Sequence, residues 1–510
     1  MSSPSPMSDV AAVAAELPPL PERKGFRAFW ARPAVQVAMI SFTVFCSLSG
    51  VGGGGQVDPK AANDGNVALY STFAVIGFAS GAIINKIGAR LALCLGACGY
   101  ALYMGSLLSY NINANSGFVV GAGAILGICA GLLWTAQGSL TLAYATEATK
   151  GRLFALFWII FNTGGVLGSA IELGLTYHST TSTVSNAVYI VFMTIGAVGA
   201  FLPIFLVNPG TMVRTDGTRV IVPVHPTVKD QLVGLFKLLR NDYMIFLLFP
   251  YFLASNWMYT YQQNSYNGAR FTLRTRSLNS LLYWGCQCVA AGCFGIAIDS
   301  TRFRRTTRAW GGFAFLLCLA MGVWGWAYHY QKSYDRADID TTLSRIDFKD
   351  SAYPGRALLY IFFGVFDAIF QNYICSSPRV PSLSSSALPP PRANPPFTNP
   401  PSPPLRDPDW LLGAMTNLPS HLAYLVGLYK GVQSAGAAGA YRADANLEPY
   451  ISELAVAWAL AVAGLLFVVP VIALRIGDRT EEMVVEVGRG DAASTTSVGE
   501  DKKVHDEEAV

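Results

Sequence analysis

Charge is what this 510-residue chain has least of: Asp, Glu, Lys and Arg together make up 13% of it. A water-facing surface needs roughly a quarter to a third charged residues, so a soluble globular protein of this length is excluded. Metal-binding signals are missing too. The nine cysteines contain no C-x-x-C pair and the five histidines are scattered, so no metal or other cofactor is expected. Basic residues sit in short connectors and never form a polybasic face, so nucleic acid is not an expected partner. No Walker loop and no nucleophile–base pair stands out, and enzymatic chemistry is not expected. The opening "MSSPSPMSDVAAVAAELPPLPERKGFRAFWARP" has no compact apolar core, so 1–33 reads as a flexible cytosolic arm and not a signal peptide.

What the chain has is apolar length. The residues AVILMFWYC make up 52%, and 49 glycines accompany them. Runs of about 20 apolar residues recur, each long enough for a helix to cross ~30 Å of hydrocarbon. Read against polar and Pro/Gly breaks, they give twelve spans. Six lie at 34–55, 66–86, 90–110, 118–144, 153–174 and 186–207. After a polar connector at 208–242, six more lie at 243–264, 278–298, 309–328, 355–374, 420–440 and 451–475. The expected fold is an all-α membrane protein with twelve transmembrane helices in two six-helix halves, 34–207 and 243–475. Its surroundings are a lipid bilayer. The connector ends in "TVKDQLVGLFKLLRND", whose Val228, Leu232, Leu235, Phe236 and Leu239 share one helical face beside Lys229, Lys237 and Arg240. This is an amphipathic helix, either lying on the inner membrane surface or packed on the bundle. The tail at 476–510 is polar and reads as disordered and cytosolic.

Lys/Arg bias sets the orientation. An even number of spans puts both termini on one side. With the termini in the cytosol, the inner segments hold Arg23, Lys24, Arg27, Arg32, Lys86, Arg90, Lys150, Arg152, Arg302, Arg304, Arg305 and Arg308. The first three outer loops hold one basic residue, Lys60. Two outer loops run against the trend: 265–277 carries Arg270, Arg274 and Arg276, and 329–354 carries Lys332, Arg336, Arg345 and Lys349. As no Asn-x-Ser/Thr acceptor lies in any loop, the sequence does not say which membrane the protein inhabits.

An internal repeat organises the two halves. "GAIINKIGAR" stands between spans two and three, and "GIAIDSTRFRR" between spans eight and nine. Both read G-x-x-x-[N/D] followed by a basic turn: Gly81, Asn85, Lys86, Gly88 and Arg90 in the first, Gly295, Asp299, Arg304 and Arg305 in the second. The glycine lets helices approach closely, and the Asn or Asp can cap a neighbouring helix N-terminus. Together with six plus six spans, the pattern resembles the major facilitator superfamily, whose loop reads G-x-x-x-D-[RK]-x-G-[RK]-[RK]. Asn85 replaces the acid there and Ala89 a basic residue, which puts a charge-dependent latch in the first half in doubt. "SGVGGGGQ", "WTAQGSLTLAYATEATKGRLFALFWIIFNTGGVLGS", "SNWMYTYQQNSYNGARFTLRTRSLNSLLYW" and "LYKGVQSAGAAGAYRAD" narrow the resemblance to the Unc-93-like branch, fungal in type. The resemblance implies a facilitator-like fold. It implies either secondary transport of a small solute or, as in relatives named for channel regulation or receptor trafficking, a non-transporting role with a membrane-protein partner.

Ionisable residues at membrane depth are the strongest candidates for a site. Asp367 lies inside span ten and Lys430 near the middle of span eleven, and helices of one half could bring them together. They serve either an ion-coupled switch or a static buried pair. Glu172, near the outer end of span five, reads as a wet rim position. Gln137, Asn162, Asn256, Tyr259 and Gln262 either line a polar cavity for a neutral or zwitterionic ligand or bond helix to helix. "RFTLRTRS", 270–277, is either a basic run that attracts anions at the outer mouth or, more ordinarily, a solvated outer loop.

One segment resists all of this. Residues 375–409 hold 12 of the 28 prolines and interrupt span ten. Without them the flanks join as "FDAIFQNYIWLLGAMTN", an unbroken apolar helix. The insert is either a disordered inner loop, suited to a proline-binding domain, or a translated intron; that it cuts a helix favours the intron.

Overall fold

A computed structural model describes residues 24–51, 59–145, 150–178, 184–215, 220, 228–298, 303–339, 341, 343–375 and 419–475. The proline-rich insert, most of the glycine run at 50–55 and Asp299 lie outside them. In chain order the helices are α1 (Phe26–Trp30), α2 (Pro33–Val51), α3 (Pro59–Ile76), α4 (Ser80–Ile87), α5 (Ala89–Asn113), α6 (Ser116–Tyr144), α7 (Lys150–Thr176) and α8 (Asn186–Phe201). Then come α9 (Val228–Asn241), α10 (Phe249–Thr260) with a π-helical continuation Tyr261–Gly268, α11 (Leu273–Ile298), α12 (Arg305–Gln331), α13 (Tyr353–Cys375), α14 (Pro419–Ala445) and α15 (Tyr450–Arg475).

Local chemistry starts and stops these helices. Asn115 accepts from the Phe118 amide to open α6, and Ser185 from the Ala187 amide to open α8. Gly88, at φ +84°, takes a backbone conformation closed to most side chains and so separates α4 from α5. Helices α3 and α4 are bent by 76° across the short break between them.

Helices α2–α8 pack among themselves, as do α10–α15, and two seams join the bundles: α3 against α14, and α7 against α11. Apolar lipid gives helices no hydrophobic reason to associate, so close van der Waals fit has to hold them. A Cβ on Gly123 would lie 2.3 Å from the Gly65 carbonyl oxygen, and one on Gly127 2.1 Å from that of Leu69. The same principle works at the seams, where Gly165 abuts Trp284 and Gly431 abuts Phe78. Helix α2 begins at one end of the assembly, the basal end, where Trp30 Nε1 donates to the Phe205 carbonyl at the close of α8. Helix α15 also finishes there, against the turn Tyr243–Leu248. The opposite end is distal.

Seven helices among the described residues are long and apolar enough to span a membrane, or eight if the bent pair α3/α4 counts as one span. Twelve is therefore the expectation and not the measured count. Helices α10, α11 and α14 are not among the seven, α10 being only twelve residues long before its π-helical continuation, and with α13 they carry the polar site described below. Other expectations need correction. Span two begins at Pro59, not 66, because its polar first turns are buried by partners from other helices. Span seven runs through the π-helical turn to Gly268. The supposed solvated loop 270–277 is mostly inside: α11 starts at Leu273, Thr275 and Ser277 are fully buried, and Arg270 and Arg276 are nearly so.

Candidate functional site

Asp367 sits on α13, 1% exposed, where five side chains from three helices converge. Tyr259 of α10 donates to its Oδ2 at 2.7 Å, and the Tyr283 hydroxyl of α11 lies 3.3 Å from the same oxygen. Tyr283 is also 3.0 Å from Gln262 Oε1, on the π-helical turn. Among the described residues, Asp367 Oδ1 and the Nε2 atoms of Gln262 and Gln287 meet no hydrogen-bond partner. This is an unusual concentration of unsatisfied buried atoms, of the kind that marks a site holding something further.

One turn along α13 the network continues. Gln371, four residues from Asp367, donates through Nε2 to the Ser255 carbonyl, and its Oε1 accepts from the Tyr429 hydroxyl at 2.6 Å. Gln433 Nε2 reaches Ser255 Oγ (3.0 Å), Gln371 Oε1 (3.2 Å) and the Tyr429 hydroxyl (3.0 Å). Lys430 Nζ donates to Gln433 Oε1 at 3.0 Å. The same ammonium lies 5.4 Å from the ring centre of Trp134, which belongs to α6 of the other bundle, and 5.1 Å from that of Tyr429. Asp367 and Lys430 are thus linked through amides, each with its own set of partners. Gln371 and Gln433 share helix faces with them at i+4 and i+3, the signal by which sequence reasoning could have found them.

A second polar knot closes the distal end between the bundles. Asn63 of α3 donates to Asp444 Oδ2 of α14 at 2.7 Å, and Asn264 reaches both Asn63 Oδ1 (2.9 Å) and Asp444 Oδ2 (2.8 Å). Arg336 then bridges Asp444 Oδ1 and Glu453 Oε1, each at 2.5 Å, and stacks on Tyr450. Ser265 bonds the other Glu453 oxygen. Burial works against the Arg336 charge, yet Asp444 and Glu453 hold its guanidinium above the ordinary value. Alongside, Tyr70 and Tyr441 stack at 5.6 Å across the seam, and Arg442 pairs with Asp64 at 3.5 Å.

The remaining candidates fall into place around these two clusters. Tyr259 and Gln262 belong to the Asp367 site. Gln137 is buried but bonds Thr141 on its own helix, Asn162 is buried in α7, and Asn256 is half-buried on α10. Glu172 is no wet rim residue: it is fully buried, because α11 covers that end of α7, and it lies within electrostatic reach of Tyr189 together with Arg276. The basic loops that broke the charge bias are also explained. Arg274 pairs with Asp347 at 2.6 Å, Arg336 is doubly bridged, and buried Arg270, its pKa lowered by that burial, lies over Tyr334.

Comparison with known proteins now places this architecture. A family model described as ion channel regulatory protein UNC-93 matches residues 53–318. The chain belongs to the UNC-93 family. An UNC93-like protein of Schizosaccharomyces pombe is 40% identical over 445 residues, covering 87% of this chain and 82% of its own. Among solved structures, the fucose:proton symporter of E. coli matches with a TM-score of 0.51 at 11% identity, over 87% of this chain and 98% of its own. The xylose transporter of E. coli, in a partially occluded inward open conformation, matches with 0.52 at 13%, over 86% and 97%. These likenesses show a major facilitator fold for this UNC-93 family member, a multi-pass integral membrane protein.

The loop motifs of this UNC-93 chain take up the following places. Gly88, which has no side chain to offer, is the N-cap of α5. Asn85 and Lys86 are exposed, Gly81 is buried, and Arg90 lies within electrostatic reach of Tyr144. Gly295 lies on α11, Arg304 is exposed just before α12, and Arg305 opens that helix.

Proposed function

We propose that this chain is a secondary transporter of a small solute, its two halves (34–207 and 243–475, joined by the connector 208–242) rocking about a central site. The observation that carries the reading is Lys430. A cation at membrane depth, held over Trp134 of the opposite half and wired by Gln433 and Gln371 to the helix of Asp367, is costly for a merely structural purpose. Amides, phenols and one carboxylate around it suit a neutral or zwitterionic organic solute. The distal knot supports a conformation open toward the basal end. Lys86, Arg90, Lys229, Lys237, Arg240, Arg304 and Arg308 at that end support cytosolic termini. The test is uptake by the purified protein in liposomes against a broad solute panel. Flux of at least one solute is expected, with Lys430→Ala lowering it about tenfold or more while the protein stays monodisperse. A folded sample that moves nothing across the whole panel sinks the transport reading.

The family model's description, ion channel regulatory protein, favours a second reading: a non-transporting regulator or escort of another membrane protein. That reading expects a stoichiometric partner in detergent pull-downs from native membranes. A partner-free preparation counts against it.

A further inference from the structure

Tyr283 has one hydroxyl proton and two acceptors, Gln262 Oε1 at 3.0 Å and Asp367 Oδ2 at 3.3 Å. It serves Gln262 at the shorter distance. Asp367 Oδ2 then faces the Tyr283 oxygen, which has lone pairs to offer, while Tyr259 donates to that same Oδ2. Oδ1 meets no donor at hydrogen-bond geometry among the described residues, although the Gln287 and Gln371 amides both face the carboxyl. For a carboxylate this set is poor, since one fully buried anionic oxygen lacks any donor. A carboxylic acid fits it: its O–H donates from Oδ2 to the Tyr283 oxygen, Tyr283 donates on to Gln262, and Oδ1 is an ordinary carbonyl.

We propose that Asp367 is a proton-binding site, and that Tyr283 relays its state to Gln262. On release, the Asp367 O–H bond breaks and water takes the proton as hydronium. The Tyr283 hydroxyl then turns from Gln262 to Oδ2, and Gln287 Nε2 turns to Oδ1, so that the anion is satisfied. Gln262 loses its partner in that step. It lies in the π-helical turn two residues before Asn264, which holds Asn63 and Asp444 at the distal seam. Such turns recur at functional sites because their loose hydrogen bonding permits repacking. The other titratable groups facing the carboxyl are Tyr259 and Cys286, with Lys430 reached through the two amides. Protonation stands apart from the transport reading, but its use as the coupling ion rests on that reading.

Infrared difference spectroscopy of the full-length protein in detergent, stepped between about pH 5 and 9, tests it directly. A protonated-carboxyl band that titrates in the wild type, disappears in Asp367→Asn and shifts in frequency in Tyr283→Phe is the expected result. Tyr283→Phe keeps the carboxyl in place, so the test survives if Asp367→Asn fails to fold. A titrating band unchanged in both variants, or no such band at all, overturns the proposal. Liposome flux separates the readings: the band with no solute moved leaves the proton site standing and removes transport.

Discussion

The two bundles are built on the same plan but held together differently. In the first, backbones touch: glycines at 65, 96, 99, 123, 127, 164 and 199 leave no room for a Cβ, and the described bonds from side chain to side chain between its helices are few, among them Tyr103 to Asn66 at 3.4 Å and Asn111 to Asn186 at 2.5 Å. The second has close glycine contacts too, at 364, 436 and 464, but adds a dense network of side-chain bonds. Tyr251, Tyr259, Tyr261, Tyr283, Tyr360 and Tyr429 each bond across helices, and Asp367, Asp444, Glu453 and Gln433 are buried in their midst. Close backbone contact has one low-energy arrangement, since a helix that shifts loses the fit. Hydroxyls and amides can exchange partners at nearly constant energy. The first bundle therefore suits a rigid frame and the second a part that rearranges.

The sharpest way to break this comparison is to add one methyl group to the frame. In Gly127→Ala the new Cβ would stand 2.0 Å from Thr72 Oγ1, 2.1 Å from the Leu69 carbonyl oxygen and 2.9 Å from the Phe73 nitrogen. Backbone atoms cannot step aside as a side-chain tip does, so α3 and α6 must separate. We expect a loss at the upper end of overpacking costs, about 3 kcal/mol, read as a large fall in the thermal unfolding midpoint in detergent. Gly138→Ala, with nothing within 4 Å of its Cβ in the same helix, should be neutral. Equal effects from the two would remove the idea of a close-packed frame.

Next in size is the distal knot. Arg336→Met leaves Asp444 and Glu453 facing each other with no cation between them. Breaking a buried pair costs about 3–5 kcal/mol; with the Arg336 side chain 21% exposed, about 2 kcal/mol is a fairer expectation. Because the knot also ties Asn63 of the first bundle to the second, the variant should increase labelling, from the distal side, of a cysteine placed at the neighbouring buried Ala62. Unchanged stability together with unchanged labelling would show that Arg336 holds nothing shut. A smaller effect belongs to Tyr251, whose hydroxyl donates to the Phe370 carbonyl at 2.6 Å while its ring stacks on Phe370 at 4.0 Å. Tyr251→Phe keeps the stack and loses one hydrogen bond, about 1 kcal/mol. A loss of Tm much larger than that from Gly138→Ala, but well short of Gly127→Ala, would match.

These expectations also show how far the sequence could be read. Long apolar runs gave α5, α6, α8, α12, α13 and α15 to within a few residues, because lipid imposes one requirement on each run by itself. Asp367 and Lys430 stood out for the same reason: a charge inside such a run is conspicuous. Hidden from view were the contacts whose two ends lie far apart in the chain. Pro59–Ile76 starts with polar residues that look like loop until Asp444 and Asn264 reach Asn63. Glu172 looks like a rim residue until α11 covers it, and Arg274 looks solvated until Asp347 meets it. Tyr283 offered no signal at all, being one aromatic among many in an apolar run. A linear pattern records each residue's own cost of burial but not the partner that offsets it.

The mildest prediction concerns that last pair, which lies outside the packed core of the second bundle. Partial burial raises the cost of the Asp347 charge, but the Arg274 guanidinium, the Lys349 amide and the Thr272 hydroxyl together hold its carboxyl below the usual range. A folded pKa below the unfolded one means stability that is fully present above the unfolded value, near 4, and is lost as pH falls through the folded value. The effect is small because the pair is partly exposed and screened by salt. Wild-type protein and Arg274→Ala, melted in parallel from neutral pH downward, should therefore differ by about a degree at pH 7, with the gap closing as pH falls below about 4. A gap that persists undiminished at the acid end would assign the contribution of Arg274 to its packing on Phe348, 5.0 Å from the ring centre, and not to its charge.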